Sequence, residues 1–534
     1  MSAAARPLKS AVVVIGGGIS GLASAALLAR QGHEVTLLES HSALGGRAGS
    51  WEQDGFRWDT GPSWYLMPEV FDHFYKLLGT SAAEQLQLVT LDPGYRVFFE
   101  GITDPIDIAA TREENIELFE KVRRGSGRRL AKYLDSAAET YTLAKKYFLY
   151  TSFQSILPLF NREVLGKLGP LLVSLIRPLS SLTRHAVRDD RLRKILGYPA
   201  VFLGASPYIA PSMYQLMSHL DLEEGVLYPM GGFARVIESI ADLARAEGVT
   251  IVTDATATRI AVEKGRATGV DYLAADGSKH TEPADLVVST VDLHFGETQL
   301  LEPAQQTYPQ SWWDKRMPGP SALLLNLGVR GELPELEHHT LLFANDWKTG
   351  FDAIFGAESH VPNTPSLYVC KPSGIDPDVA PDNHENLFVL VPIPADPKLG
   401  KGGIGGTGDK NIERLADAVI QQIADWANIP DLASRVTVRR TVGPADFVSD
   451  LNAWRGTALG PAHTLRQSAF FRAGNRSRRV KGLYFAGGST IPGIGLPMCL
   501  ISAEIVLKRI NGDTSTGPLP EPLRAGPLPT GPTG

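Results

Sequence analysis

Residues Gly16-Gly-Gly-Ile-Ser-Gly21 constrain this chain more than any other stretch. They stand between a short apolar run, 11–15, and a small-residue helical stretch, 22–30, which Gly32 ends. A second apolar run follows at 35–38. Strand, glycine turn, helix and strand at this spacing predict a right-handed parallel unit. The pattern is G-x-G-x-x-G in the context that gives it meaning. Gly16 permits the tight turn, Gly18 lets backbone approach a pyrophosphate, and Gly21 lets helix and strand pack closely. Ser20 falls in the same turn. The pyrophosphate would lie over the helix N-terminus, where free N–H groups and the helix dipole favour anions. Glu39 closes the second strand, 18 residues beyond Gly21. Its carboxylate can accept hydrogen bonds from ribose hydroxyls and would repel a 2′-phosphate, which disfavours NADP.

Several later segments point back to the same nucleotide. Gly45-Gly46-Arg47 offers a close backbone approach and a planar fork of donors for phosphate. Asp59-Thr-Gly61-Pro62 repeats the small-residue pattern. Near the far end, 482–486 reads as a strand, Gly487-Gly488 as a turn, and 497–510 as a helix with Leu496-Pro497 at its start. A chain that returns to its nucleotide from the C-terminus suits a long, deeply held cofactor. FAD is therefore expected rather than a freely exchanging NAD.

With 534 residues and 43% hydrophobic content, the chain is too long for one ordinary core. The expected class is α/β: a Rossmann-like FAD-binding domain with a discontinuous mixed α+β substrate domain. The FAD-binding domain is expected over 10–95, 225–295 and 475–510. Its middle piece would hold the turn Tyr228-Pro-Met-Gly-Gly232, a helix over 233–246, strands at 250–253 and 285–290, and a hairpin at Asp276-Gly277. Residues 96–224 read as a mostly helical, membrane-facing part of the substrate domain, and 296–474 as its second part. Residues 1–9 read as a loose leader, and 511–534, rich in Pro and Gly, as a disordered tail.

Composition excludes some roles. Charged residues make up 21% and the net charge is -6, so no nucleic-acid footprint is present. Cys370 and Cys499 are the only cysteines, which fits a reducing compartment and no disulfide framework. No metal site is expected, because adjacent His338 and His339 in a strand should point to opposite faces. The apolar run near the N-terminus leads into glycines without a cleavage pattern, so no signal peptide is expected. No apolar run approaches the ~20 residues of a spanning helix; the longest is 168–176.

The sequence resembles the bacterial and fungal phytoene desaturases, a carotenoid desaturase group among the FAD-dependent amine oxidase-like flavoproteins. The N-terminal VVVIGGGISGLASAALLARQGHEVTLLESHSALGGRAGS carries the general flavoprotein part. Glu337-His-His-Thr340, PSLYVCKPSGIDPDVAPDNHENLFVLVPIP (365–394) and ALGPAHTLRQSAFFRAGNRSRRVKGLYFAGGSTIPGIGLPMCLISAEIVLKRI (458–510) carry the narrower one. The resemblance covers about 12–510. Three departures stand out, one being that the proline-glycine after the second turn reads Pro497-Met498. The usual threonine-histidine of the C-terminal signature is Thr490-Ile491 here, which removes an imidazole. Trp64 and Tyr65 are bulkier than usual after Gly61-Pro-Ser63.

The resemblance implies hydride transfer from a long polyene such as phytoene to FAD, within an elongated apolar tunnel. It also implies reoxidation by a quinone or oxygen, and peripheral contact with the cytoplasmic side of a membrane. Residues 141–184 suit that contact: they are apolar and carry Lys145, Lys146, Arg162, Lys167, Arg177 and Arg184 against Glu163 alone, a net +5. The sequence singles out no catalytic residue. Asp59, Asp221 and Asp450 are conceivable proton acceptors. Another carotenoid-modifying flavoenzyme (a later desaturase, isomerase or ketolase), a soluble amine oxidase, and a non-catalytic flavin-binding partner remain alternatives.

Overall fold

The computed structural model describes residues 9–153, 173–202 and 204–524. Most of the expected leader, the centre of the basic apolar stretch 141–184 and the last ten residues lie outside them.

A five-stranded parallel sheet is drawn from three distant parts of the chain. Its order is Leu483–Phe485, Leu286–Ser289, Ala11–Ile15, Glu34–Leu38, Thr250–Val252. Each strand is a short, nearly continuous apolar run, as a parallel sheet covered on both faces requires. The first helix, Ile19–Arg30, is almost wholly buried. It packs against Gly232–Ala246 and the C-terminal helix Leu496–Asn511. Its alanines and serines let these backbones approach. A three-stranded antiparallel sheet, Thr256–Glu263, Arg266–Leu273 and Lys279–Pro283, carries the expected hairpin at Asp276-Gly277.

The other half is a seven-stranded sheet. Its order is Val436–Val442, Ser321–Arg330, His384–Ile393, Leu367–Cys370, His339–Phe343, Tyr95–Phe99, Ile102–Ile108. All its pairings are antiparallel except that of His339–Phe343 with Tyr95–Phe99. Two strands thus occupy the start of 96–224, so that part is not helical from its first residue as its composition suggests. Alternation gives the sheet two different faces. Leu323, Leu325, Leu327, Val389 and Val391 bury one face with the helix Lys410–Trp426. Ala322, Leu324, Leu390 and Phe343 turn to the other face and line a cavity.

The tail is the clearest correction. Residues 513–524 are packed rather than loose: Leu519 and Leu523 are 3% and 2% exposed within the main core. The anchor sits on the preceding helix, where composition of the tail does not show it. Lys508 Nζ, buried, donates to the carbonyls of Tyr150 (3.0 Å), Ser515 (2.7 Å) and Gly517 (2.7 Å). Three donors meet three acceptors, so the buried ammonium is satisfied. His73 bonds Glu504 at 3.0 Å on one side and Glu521 of the tail on the other. Leu519→Ala or Leu523→Ala should each destabilise the fold by about 2–5 kcal/mol through the cavity left behind, read as a fall in unfolding midpoint. The same clamp sets a pH dependence. Burial lowers the His73 pKa, but Glu504 and Glu521 outweigh it, so it is raised above 6.5. Its stabilisation should be complete below pH 6.5 and disappear as pH rises through the raised value. His73→Phe should remove that loss from the stability–pH curve.

Candidate cofactor and substrate site

One cavity of about 1090 Å³ runs from the glycine turn across the free face of the seven-stranded sheet. Every residue expected to bind the cofactor lines it except Gly21: Gly16, Gly18, Ser20, Glu39, Gly46, Arg47, Gly61, Pro62, Gly488, Leu496 and Pro497. Gly21 serves the packing beneath. A Cβ there would lie 1.8 Å from the Gly16 carbonyl oxygen, so any side chain would push the turn off the helix.

Two helix N-termini open on this cavity. Gly18 begins Ile19–Arg30 and Gly495 begins Leu496–Asn511. Neither helix has a side-chain cap or an acidic residue in its first turn. Their free N–H groups are therefore available to an anion. Glu39, 6% exposed, accepts from the Gly17 N–H at 2.6 Å through Oε2. Its Oε1 accepts from the His41 N–H at 2.9 Å and the Ser40 hydroxyl at 3.1 Å. The carboxylate is thus fixed at the rim of the turn, where an adenosine ribose would reach it. These features fit a dinucleotide.

Arg47 is placed differently from its expected role as a free phosphate fork. Its Nε donates to the Ala458 carbonyl at 2.9 Å, and Nη2 lies 3.6 Å from the buried Asp292 carboxylate. Arg47 therefore straps the glycine turn to the C-terminal half while its edge faces the cavity. Trp64 lines the cavity, whereas Tyr65 is buried in the core, stacked on Phe71 at 4.3 Å.

An imidazole lines the cavity beside this C-terminal turn. His463 lines the cavity against Gly493, where a Cβ would lie 2.5 Å from its Cε1. The Ile494 N–H donates to His463 Nε2 at 3.3 Å. Nδ1 therefore carries the proton and donates to the Tyr214 oxygen at 2.9 Å. Tyr214 then donates to Ser468 (3.2 Å), and Ser468 to the Thr464 carbonyl (2.8 Å). Burial and nearby Arg472 hold this histidine's pKa well below its ordinary value, so it stays neutral. No signal in the sequence links His463 to a turn nearly thirty residues further on.

The conceivable proton acceptors separate cleanly. Asp59 caps the helix Gly232–Ala246, accepting from the Phe233 N–H (2.7 Å) and the Ala234 N–H (3.0 Å). Asp450 is exposed at the cavity rim. Asp221 is buried behind the cavity wall. His338 and His339 do not point apart. His338 precedes the strand, so alternation does not govern it, and the two rings lie 4.6 Å apart. With Cys370 they form a buried trio whose ligand atoms fall within 4.8 Å of one another. Burial raises the thiol pKa to about 12 and lowers that of His338 to about 3, so the trio is neutral. A closed structural zinc site takes four ligands.

A dinucleotide-binding sheet joined to a second sheet roofing an apolar cavity defines a flavoprotein oxidoreductase fold. Residues 19–510 match the family of flavin-containing amine oxidoreductases, and the chain belongs to it. A flavin on a pyrophosphate-binding turn means FAD, and the chain is an FAD-dependent oxidoreductase. Among its relatives is a carotenoid 3,4-desaturase of Haloarcula japonica, 40% identical, with 92% of this chain and 96% of that one covered. A zeta-carotene-forming phytoene desaturase of Myxococcus xanthus is 34% identical, with 93% of each chain covered. An oxidoreductase from Methanosarcina mazei shares the fold at a TM-score of 0.61 and 17% identity, over 93% of this chain and 100% of that one.

Glu39→Ala should lower FAD affinity about tenfold or more, through a lost charged hydrogen-bond acceptor of about 1.5–3 kcal/mol. FAD titration of apoprotein, followed by flavin fluorescence, measures it. Unchanged affinity would remove Glu39 from the site.

Proposed function

We propose that this chain is a carotenoid desaturase that takes hydrogen from adjacent saturated carbons of a long polyene, with phytoene as the first substrate to test. Gly16, Gly18, Ser20, Gly21, Glu39, Gly46, Arg47, Gly61, Pro62, Gly488, Leu496 and Pro497 hold the FAD or shape its cradle. Bound FAD supplies the hydride acceptor. The observation that carries the reading is the cavity wall. Ala322, Leu324, Leu341, Phe343, Leu390 and Val442 form a broad apolar floor across several strands. A hydrocarbon offers no polar handle, so such a wall selects it by shape and water exclusion. The carotenoid desaturases among the relatives support the same reading.

The cavity lip suits a membrane surface. Phe470 and Phe471 line the cavity yet are 57% and 51% exposed. Phe153 packs on Phe470 at 6.2 Å. Val173 and Ile176 are also exposed, next to Arg177. Burying each aromatic ring in a headgroup boundary gains about 1.5–3 kcal/mol. An insoluble substrate then passes from bilayer to cavity without crossing water. Among the described residues no helix is long and apolar enough to cross a membrane. On this reading the contact is peripheral and on the cytoplasmic side, with a quinone in the same bilayer, or oxygen, reoxidising the cofactor.

Holoenzyme mixed anaerobically with phytoene-containing liposomes should bleach its flavin absorbance and give products with red-shifted bands. Altered geometry without longer conjugation would point to an isomerase. Static flavin with phytoene and with partly desaturated carotenoids overturns the reading. Phe470→Ser with Phe471→Ser should reduce flotation with anionic vesicles about tenfold or more, with the unfolding midpoint unchanged.

A further inference from the structure

The desaturation needs a proton acceptor as well as a hydride acceptor, and one buried cluster beside the cavity has the chemistry for it. Asp221 lies in the helix Leu216–Leu222, whose Leu216, Met217 and Leu220 line the cavity. Asp221 itself points behind the wall and is 3% exposed. Two phenols donate to the same oxygen, Oδ2: Tyr198 at 2.9 Å and Tyr95 at 3.1 Å. Tyr198 lines the cavity, and Tyr95 does not. The Trp64 ring stands 6.1 Å from Tyr198 and 5.3 Å from Tyr95. Trp64 directly follows Gly61-Pro62-Ser63, the segment assigned to the cofactor, so Tyr198 is one ring away from it.

We propose that Tyr198 and Asp221 are the proton-accepting pair of the desaturation, with Tyr198 as the catalytic residue and Asp221 as the group that makes it basic. The step balances. One C–H bond of the substrate would break with its electron pair, for which bound FAD would be the two-electron acceptor. The adjacent C–H bond breaks and its proton passes to the Tyr198 oxygen. Tyr198 gives its own hydroxyl proton to Asp221 Oδ2, and the electron pair left on carbon becomes the new double bond. The substrate is oxidised and FAD reduced. Asp221 returns its proton through the same phenol once product has left. The proposal rests on the carotenoid desaturase reading.

The choice of a carboxylate supports it. Among the described residues the side-chain partners of Asp221 are the two phenols, and no cation pairs with it. A buried carboxylate without a cation is costly, and an asparagine would accept the same two hydrogen bonds without that penalty. Burial pushes its carboxyl up to about 7, against the two phenols, which favour the charged form. It can therefore be charged before the step and neutral after it. The other candidates lack this combination: both Asp59 oxygens accept backbone N–H groups, and Asp450 is open to solvent.

The two tyrosines provide the test, because each gives Asp221 one hydrogen bond but only one faces the cavity. Tyr198→Phe, Tyr95→Phe and Asp221→Asn would be purified as holoenzymes and mixed anaerobically with carotenoid in liposomes. Tyr198→Phe should slow flavin reduction about 100-fold or more, the usual size of a lost general base. Tyr95→Phe removes one hydrogen bond from Asp221 but no group that faces the cavity, so its loss should be far smaller than that of Tyr198→Phe. Asp221→Asn should lower kcat like Tyr198→Phe, with KM and FAD content retained. Should Asp221→Asn fail to fold, the tyrosine pair decides alone. Equal losses in the two tyrosine variants, or a loss confined to KM, would make the cluster a structural staple and overturn the proposal. A parent enzyme whose flavin stays oxidised with every carotenoid supplied would overturn the desaturase reading, and the pair with it; that failure is distinct from one in which the parent turns over and Tyr198→Phe does too.

Discussion

The close approach of backbone to backbone at the glycine turn is the constraint on which the rest depends. A pyrophosphate bound by helix dipoles and peptide N–H groups needs the first strand, the first helix and the turn between them to meet without side chains. At Gly21 the space for a Cβ is already filled by the Gly16 carbonyl. Once that unit is fixed, the later segments have few options. The strands Leu286–Ser289 and Glu34–Leu38 flank Ala11–Ile15, and Leu483–Phe485 and Thr250–Val252 complete the sheet outward. The long connections leave the sheet and assemble the second half above it.

That second half resolves a conflict between a polar cofactor and an apolar substrate in one cavity. The parallel sheet presents helix N-termini and Glu39, and the antiparallel sheet presents aliphatic side chains. Because strand residues alternate, a single row can serve the helix-packed core through Leu323 and Leu325 and the cavity through Ala322 and Leu324. Polar groups that do enter the apolar region are neutral or paired. His463 is held neutral by burial and spends both ring nitrogens on Ile494 and Tyr214. Asp221 is set back by one phenol.

The nucleotide half was largely legible in sequence because its signals are local. The strand over 11–15, the glycine turn, the helix ended by Gly32, the hairpin at Asp276-Gly277 and the C-terminal helix all depend on neighbours within a few residues. The residues that line the cavity at the glycine turn were legible for the same reason. The seven-stranded half was not, since pairing Tyr95–Phe99 with His339–Phe343 joins segments far apart in the chain. The placing of His463, Tyr198 and Asp221 was invisible on the same grounds. The tail failed differently. Its composition lacks a core of its own, but Lys508, His73 and Glu504 on the folded body supply the anchors. Composition reports what a segment can do alone and omits what a host can do for it.

The same distinction bears on how one scaffold can serve several oxidations. The glycine turn and the helix N-termini are suited to the pyrophosphate of the flavin cofactor that marks the family. The residues over the cavity answer to the substrate, and they come from elements with no common local signature: the sheet face, the helix Leu216–Leu222, and the lip at Phe470 and Phe471. A change in any of these alters tunnel shape without touching the turn. Conversely, a change at the turn disables every substrate alike. Trp64 faces the cavity, and the glycines stand where backbone contact leaves no room for a side chain. Tyr65 shows that the two classes interlock: one residue from the cavity-facing Trp64, it fills the core on which the cofactor half rests. Substrate shape and cofactor support are therefore coupled through adjacent side chains on one short segment.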